Sequence, residues 1–295
     1  MRANAIKRSS GLSSGLVQPI FAIHPKADVN GGIFARLDQA IEAELAALVD
    51  EPVTEDNILL QAFFNWALHK LDADIYALIQ NKYIDMKGPG VGSNLLKYLN
   101  FTHYVRSKMP QFHRLALHKG PPKRILDIGC GPGHFQVLAR HFGHEAIGLD
   151  LPLENRPYAS LYDDLCKFFG VSRVDHRIEP MRPLPKFSDR FDLVTVFSTQ
   201  FDFDLEQRPW NVRAWRAIVD DVCDNLLTPN GSLYLTLTSR ERPKEVWHYL
   251  ESVSEWTHNN RVAMIRRTRT RKSEEDAALK DHINMLREES RRQED

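Results

Sequence analysis

Apolar residues in the first third of the chain recur at intervals of three and four, which is the spacing of one face of a helix. A first run over residues 33–48 ends at Pro52. Thr54 then has the chemistry of a helix N-cap, and two acidic residues follow it directly. An apolar helical segment extends over residues 58–79. The pattern predicts amphipathic helices in both stretches.

A glycine-rich break at residues 88–92 precedes a further helical segment, LLKYLNFTHYVRSKM. We therefore predict a flexible N-terminal tail at 1–32 and a helical cap or lid at 33–115. The break is either the hinge of this lid or a plain turn between two helices.

Short apolar runs with β-branched residues alternate with helical patterns after Pro122. The runs RILDIG, EAIGLD, VDHRI, FDLVTVFST, GSLYLTLT and RVAMIRRT predict strands, and HFQVLARHF, YDDLCKFFG, AWRAIVDDVCDNL and KEVWHYLESVSEW predict helices. Such alternation is typical of an α/β fold with a doubly wound, mostly parallel sheet. This domain is predicted at 116–270 with one strand after its last helix, followed by a charged C-terminal helix or tail at 271–295.

Composition narrows the functional classes. The 295 residues carry 39 basic and 39 acidic side chains, so the formal net charge is zero. Such a balance does not favour binding to nucleic acid through net charge. The three cysteines are far apart and form no CxxC pair, which excludes a disulfide framework or a zinc cluster of the usual spacing and favours a reducing cytoplasm. His141 and His144 form an H-x-x-H pair without a carboxylate partner, so no metal site is predicted. No apolar run reaches the roughly 18 residues of a membrane span.

Three glycines follow the first predicted strand at alternate positions, in the stretch DIGCGPG that runs from Asp127 to Gly133. Glycines there let a ligand lie against the backbone, and the next helix offers its free amides. The dinucleotide fingerprint G-x-G-x-x-G requires a glycine where this chain has His134, which disfavours a nicotinamide or flavin cofactor. Asp150 ends the second strand, where a carboxylate can accept hydrogen bonds from both hydroxyls of a ribose.

The chain at this point resembles the class I S-adenosylmethionine-dependent methyltransferases over roughly residues 121–270. The resemblance rests on four motifs in order: RILDIGCGPGHF, AIGLD, PLPKFSDRFDLVTVFS and LLTPNGSLYLTL. It implies S-adenosyl-L-methionine as the cofactor. The implied cofactor-binding residues are Asp127, Gly129, Cys130, Gly131 and Gly133 around the methionine moiety, Asp150 at the ribose, Leu151 and Met181 at the adenine, and Phe197 beneath the cofactor.

Methyl transfer is an in-line displacement, and a hydroxyl acceptor is helped by a general base. The loop after the fourth strand is where this fold usually meets its acceptor, and it lacks the [N/D]-P-P-[Y/F/W] signature of amino-methylating enzymes. Asp202 in that loop and His248 after the fifth strand are the catalytic candidates, although a solvated acidic loop and an ordinary helical histidine are the more common explanations of such residues. The expected acceptor is a small molecule or a glycan-type hydroxyl.

Two other functions stay open. An RNA or protein methyltransferase is the first, and the basic cluster at residues 266–272 is the only feature that favours nucleic acid. The second is a non-catalytic protein that binds the cofactor for stability or for partner assembly.

Overall fold

The computed structural model describes residues 35–84, 96–152, 159–199, 201–204, 206–259 and 261–267. The predicted tail at 1–32, the glycine-rich break at 88–92 and the charged segment at 271–295 lie outside the described residues.

In the described part of the chain, four α-helices and a 3-10 turn precede the sheet. They are α1 (Leu37–Asp50), α2 (Glu55–Lys70), α3 (Ala73–Ile84), the turn Leu96–Leu99 and α4 (Phe101–Arg114). Thr54 caps α2 as predicted, because its hydroxyl oxygen accepts a hydrogen bond from the Asn57 N–H at 3.2 Å.

The apolar segment predicted over residues 58–79 is not one helix. It is broken after Lys70, where Asp72 begins a new helix. The Asp72 carboxylate accepts hydrogen bonds from the N–H groups of Asp74 at 2.9 Å and Ile75 at 3.0 Å. These bonds satisfy donors that the first turn of α3 leaves free, and they explain why the chain turns there.

Seven strands form one sheet within the described residues: β1 (Arg124–Ile128), β2 (Glu145–Asp150), β3 (Ser172–Asp175), β4 (Phe191–Phe197), β5 (Leu227–Thr236), β6 (Trp256–His258) and β7 (Val262–Arg266). Their order is β3-β2-β1-β4-β5-β7-β6. The first five are parallel, and β7 pairs antiparallel with β5. The predicted α/β class is confirmed.

The expected count of one strand after the last helix is wrong. The three-residue strand β6 pairs antiparallel with β7, with Trp256 opposite Met264. A strand of three residues is too short to show an alternating pattern, which is why the sequence did not predict it.

Helices cover both faces of the sheet. The described connections hold α5 (His134–His141), α6 (Ala159–Phe169), α7 (Val212–Asp221), a π-helical turn (Val222–Leu226) and α8 (Lys244–Val253). One apolar core contains residues of the six helices α1 through α6 and of one face of the sheet. A second core contains residues of α7, α8 and the other face. The N-terminal helices therefore share a core with the sheet. The predicted segment boundaries stay predictions.

The strand order reverses between β1 and β4, and the carboxyl ends of these strands open a crevice where ligands bind in such sheets. None of the helices described here is both long and apolar enough to cross a bilayer.

Candidate functional site

A cavity of about 740 Å³ opens at the carboxyl edge of β1, β2 and β4, and the 3-10 turn and α4 form its opposite wall. It brings together seven of the nine residues that the sequence predicts around the cofactor. These are Asp127, Gly129, Cys130, Gly131, Asp150, Leu151 and Phe197.

The glycine loop uses its glycines in two different ways. Gly129 and Gly131 both have positive φ angles, of 72° and 55°. A Cβ atom on Gly129 would lie 1.9 Å from Thr199 Cγ2, so this glycine makes room for the loop after β4. A Cβ atom on Gly131 would meet nothing closer than Tyr98 Cε1 at 4.0 Å, and both residues line the cavity. Gly131 therefore keeps the cavity open for a ligand.

Gly133 lies outside the cavity lining. It is the N-cap of α5 with a φ of 93°, and a Cβ atom there would lie 2.5 Å from Val171 Cγ2. The third glycine thus serves the turn and the packing between α5 and the chain after α6.

Asp150 accepts two backbone hydrogen bonds at the edge of the cavity. Its Oδ2 accepts from the Gly131 N–H at 2.6 Å, and its Oδ1 accepts from the Leu151 N–H at 2.7 Å. Burial raises the pKa of this carboxyl, and the two N–H groups lower it in part. Each carboxylate oxygen has two lone pairs, so each retains one further acceptor position for a ligand hydroxyl.

Asp127 is buried at the end of β1, where the Thr195 hydroxyl donates to its Oδ1 at 2.8 Å. Burial raises its pKa to about 7, although Lys108 and Thr195 lower it in part. Lys108 comes from α4 and lines the same cavity, with its Nζ 4.6 Å from the ring centroid of Phe197. Burial lowers the pKa of Lys108, whereas the charge of Asp127 raises it. The Asp127 carboxyl and the Lys108 amine thus affect each other's pKa at this end of the cavity.

Aromatic and imidazole rings form the wall opposite the sheet. His134 is buried and stacks on Tyr104 with the ring centroids 4.9 Å apart, and burial lowers its pKa to about 3. His103 on α4 also lines the cavity, and burial lowers its pKa. Both imidazoles are neutral near pH 7, but His103 is the more accessible of the two.

Met181, predicted at the adenine, lies outside the cavity lining and is 52% exposed. Residues 176–178 line the cavity in its place. The predicted strand VDHRI ends at Asp175, so these residues lie at the carboxyl edge rather than inside a strand. The His176 N–H donates to the Asp150 backbone oxygen at 2.7 Å, which fixes the segment beside β2.

The two predicted catalytic residues are not at the cavity. Asp202 is completely buried, and its Oδ2 lies 2.5 Å from Nε of Arg242, whose side chain is 1% exposed. Arg242 also donates to the Thr238 backbone oxygen at 2.9 Å. Asp202 therefore anchors the loop after β4 and does not line the cavity. His248 is exposed on α8, away from the cavity lining.

The loop after β4 still contributes the outer wall of the cavity through Phe201, Phe203, Asp204 and Gln207. The guanidinium of Arg240 lies 3.9 Å from the ring centroid of Phe203. The backbone and side-chain N–H groups of Arg208 bind the Asp204 carboxylate and lower its pKa, which makes Asp204 a weak base.

An open α/β sheet binds adenosine-containing cofactors through a glycine turn after one strand and an acid after the next, beside the switch point. The chain is a cofactor-binding protein of this doubly wound class. Comparison with known proteins then identifies the family. A family model described as a methyltransferase domain matches residues 101–290, which is more than half of the chain, so the chain belongs to that family.

Curated relatives are ubiquinone biosynthesis O-methyltransferases. One from Xanthomonas campestris pv. campestris (strain B100) is 28% identical over 173 residues, which cover 58% of this chain and 62% of the relative. Another from Psychrobacter arcticus is 30% identical over 119 residues, covering 40% of this chain and 42% of the relative. The chain thus matches less than two thirds of the length of these relatives.

One solved structure similar to this chain is that of S-adenosylmethionine-bound CalS10, an amino pentose methyltransferase from Micromonospora echinaspora. The two sequences are 21% identical, the match covers 57% of this chain and 58% of the CalS10 chain, and the TM-score is 0.34.

The family identifies the cofactor as S-adenosyl-L-methionine, and the cavity fits this molecule. The space beside Gly131, which a Cβ atom would enter, admits a ligand against the backbone. Asp150 offers acceptor positions for a ribose, and Asp127 with Lys108 offers opposite charges for an amino-acid group.

Proposed function

We propose that this chain transfers the methyl group of S-adenosyl-L-methionine to a hydroxyl group of a small molecule. The observation that carries the proposal is one continuous cavity of about 740 Å³, lined on one side by the glycine loop and on the other by α4 and the loop after β4. Small-molecule sites range over about 300–1,000 Å³, so this volume accommodates a cofactor together with a small acceptor.

Asp150 would hold the ribose of the cofactor, and Leu151 with residues 176–178 would hold its adenine. Asp127 would pair with the ammonium group of the cofactor's amino-acid end, and Lys108 would pair with its carboxylate. Phe197 would pack beneath the cofactor, and Phe135 holds its ring edge-on with 4.7 Å between the ring centroids. The bound cofactor supplies an electrophilic methyl group, and this chain holds it in place and excludes water.

A hydroxyl acceptor is supported by the relatives, which are O-methyltransferases. A hydroxyl must lose its proton as the new bond forms, so a neutral base at the cavity helps the reaction. We propose His103 for this role, because it lines the cavity and burial lowers its pKa. This replaces the predicted roles of Asp202 and His248, which do not line the cavity.

A nucleic-acid acceptor is less well supported. Arg266 pairs with Glu255 at 3.2 Å, and Arg267 donates to the Leu227 backbone oxygen at 2.5 Å, so both have protein partners. The rest of the basic cluster at 266–272 lies outside the described residues. The proposed hydroxyl acceptor includes the hydroxyl group of a glycan as well as that of a small molecule. A cytoplasmic location stays a prediction.

The experiment supplies methyl-deuterated S-adenosyl-L-methionine to matched phenol, sugar and aromatic-amine acceptors and follows the labelled product by mass spectrometry. We expect label on a hydroxyl oxygen. His103→Gln is expected to lower turnover by roughly 100-fold or more without changing the Kd for S-adenosylhomocysteine, whereas His69→Gln, on the exposed end of α2, leaves both unchanged.

Label on nitrogen alone would contradict the hydroxyl acceptor. Cofactor binding without any labelled product would favour the non-catalytic protein. Full turnover in His103→Gln would remove His103 as the base.

A further inference from the structure

A second group of ligand-type side chains lies outside the cofactor cavity, where α2 begins and α4 ends. Glu55 is the first residue of α2, His113 is in the last turn of α4, and His118 is in the turn that follows. One carboxylate oxygen and one nitrogen from each imidazole lie within 4.8 Å of one another. Two histidines and a glutamate are a complete protein ligand set for a zinc site with one open position.

The two imidazoles face the same carboxylate. His113 Nε2 lies 2.8 Å from Glu55 Oε2, and His118 Nε2 lies 2.9 Å from Glu55 Oε1. Zinc bonds of about 2.0–2.1 Å in a tetrahedron place ligand atoms about 3.3 Å apart. The two nitrogen–oxygen contacts are about 0.5 Å shorter than this spacing, so each would lengthen by about that amount when the ion binds.

One imidazole of this group and one neighbouring carboxylate oxygen lack the hydrogen bonds that burial requires, whereas His113 Nε2 is hydrogen-bonded to Glu55 Oε2. The His118 side chain is only 5% exposed, yet neither of its ring nitrogens has a hydrogen bond. Its 2.9 Å contact with Glu55 Oε1 does not have the geometry of a hydrogen bond. Asp56 Oδ1 is also without a hydrogen bond, although it lies 2.7 Å from His113 Nδ1. A buried imidazole without a hydrogen bond on either ring nitrogen needs a partner of some kind, and a bound cation would be one.

We propose that Glu55, His113 and His118 bind a zinc ion, with Asp56 orienting His113. Imidazole nitrogen with one carboxylate selects zinc or a similar transition-metal dication over magnesium or calcium. A carboxylate beside the second ring nitrogen of a metal-binding histidine fixes its tautomer and orientation, which is the position of Asp56. The ion joins α2 to the end of α4, and this proposal differs from the absence of metal predicted from the sequence.

Lys119 competes with the metal for Glu55. Its ammonium lies 2.7 Å from Glu55 Oε1, but the side chain is 63% exposed and can turn into solvent when the ion binds. Removal of this charge should therefore tighten zinc binding. If ion pairs alone held Glu55, His113 and His118 together, the same change would weaken their association instead.

The test is calorimetric titration of the metal-stripped full-length chain with zinc chloride, together with thermal melting. We expect one equivalent to bind with micromolar or tighter affinity and to raise the Tm. His118→Asn and Glu55→Gln should each weaken binding at least tenfold and remove the rise in Tm. His69→Asn is the matched control, and Lys119→Ala should bind several times more tightly.

Binding that is equal in the wild type, His118→Asn and Glu55→Gln would overturn the proposal, because the ion would then occupy another part of the chain. An absence of binding by the wild-type chain at millimolar zinc would overturn it as well. Two ligand variants are used so that poor folding of one does not decide the result.

Discussion

The carboxylate of Asp150 accepts a hydrogen bond from the Gly131 N–H at 2.6 Å, and this bond ties the end of β2 to the glycine loop after β1. The two strands are parallel neighbours, with Asp127 opposite Gly148 in the register. A Cβ atom on Gly148 would lie 2.3 Å from Cys130 Sγ, so the loop also packs against β2 through its thiol. Asp150, which binds the ribose in our proposal, therefore also holds the glycine loop in place.

Asp150→Ala is expected to weaken cofactor binding by about 1–3 kcal/mol, because it removes charge-assisted hydrogen bonds. Asp175→Ala is the matched control, since Asp175 ends the adjacent strand opposite Asp150 but is 52% exposed. Calorimetry with S-adenosylhomocysteine measures both. Equal affinities in the two variants would remove Asp150 from the site.

Gly131→Ala is expected to fold but to bind the cofactor at least tenfold more weakly, because the added methyl group enters open cavity space. Gly143→Ala is the matched control. Gly143 has a positive φ of 88°, a Cβ atom there would meet no neighbour within 4 Å, and the residue does not line the cavity. The two variants should lose a similar stability of about 1 kcal/mol from backbone strain. Only Gly131→Ala should lose binding, and equal binding would contradict the placement of the ligand.

Cofactor binding should weaken on acidification through pH 7. Asp127 has a pKa of about 7 and must be ionised to pair with an ammonium group, so the affinity for S-adenosylhomocysteine should fall at least tenfold from pH 7.5 to pH 5.5. Asp127→Asn should bind weakly with little change over this range. A wild-type affinity independent of pH would exclude Asp127 as the partner of the ammonium group.

The same carboxyl should affect the stability of the ligand-free chain in the opposite direction. Its pKa is raised from 3.8 to about 7 on folding, so the folded state binds the proton more tightly than the unfolded state. Stability is then lost as the pH rises from about 4 to 7. Asp127→Asn should remove this loss. The free energy of unfolding of the variant, minus that of the wild type, should therefore be larger at pH 8 than at pH 4.

Asp202→Ala should unfold more easily by about 3–5 kcal/mol, because it leaves the Arg242 guanidinium buried without its partner. Asp204→Ala, two residues along the same loop, should change stability by less than about 1 kcal/mol, since its partner Arg208 is 69% exposed. Urea unfolding measures both. Unchanged stability with lost turnover in Asp202→Ala would restore Asp202 as a catalytic candidate.

The sequence predicted the parts of the fold and site that are local. The glycine loop and Asp150 lie at the ends of two strands whose apolar runs are clear, and their positions follow from parallel pairing. The break at Asp72 and the end of β3 at Asp175 were missed, because single capping residues and short strands carry weak patterns.

Contacts between distant segments could not be predicted. Lys108 and His103 reach the cavity because α4 packs on α5, with Phe112 and Phe135 in contact at 6.5 Å between ring centroids. Asp202 and Arg242 are 40 residues apart, and only the folded chain shows that they pair. A charged residue in a loop carries no sequence signal that separates an anchor from a base.

The most direct test is calorimetric titration of the wild-type chain with S-adenosyl-L-methionine and with S-adenosylhomocysteine, using NAD as the control ligand. We predict micromolar binding of the first two at one site per chain and no binding of NAD. Absence of binding by both sulfur compounds, or equal binding of NAD, would contradict the assignment of the cavity.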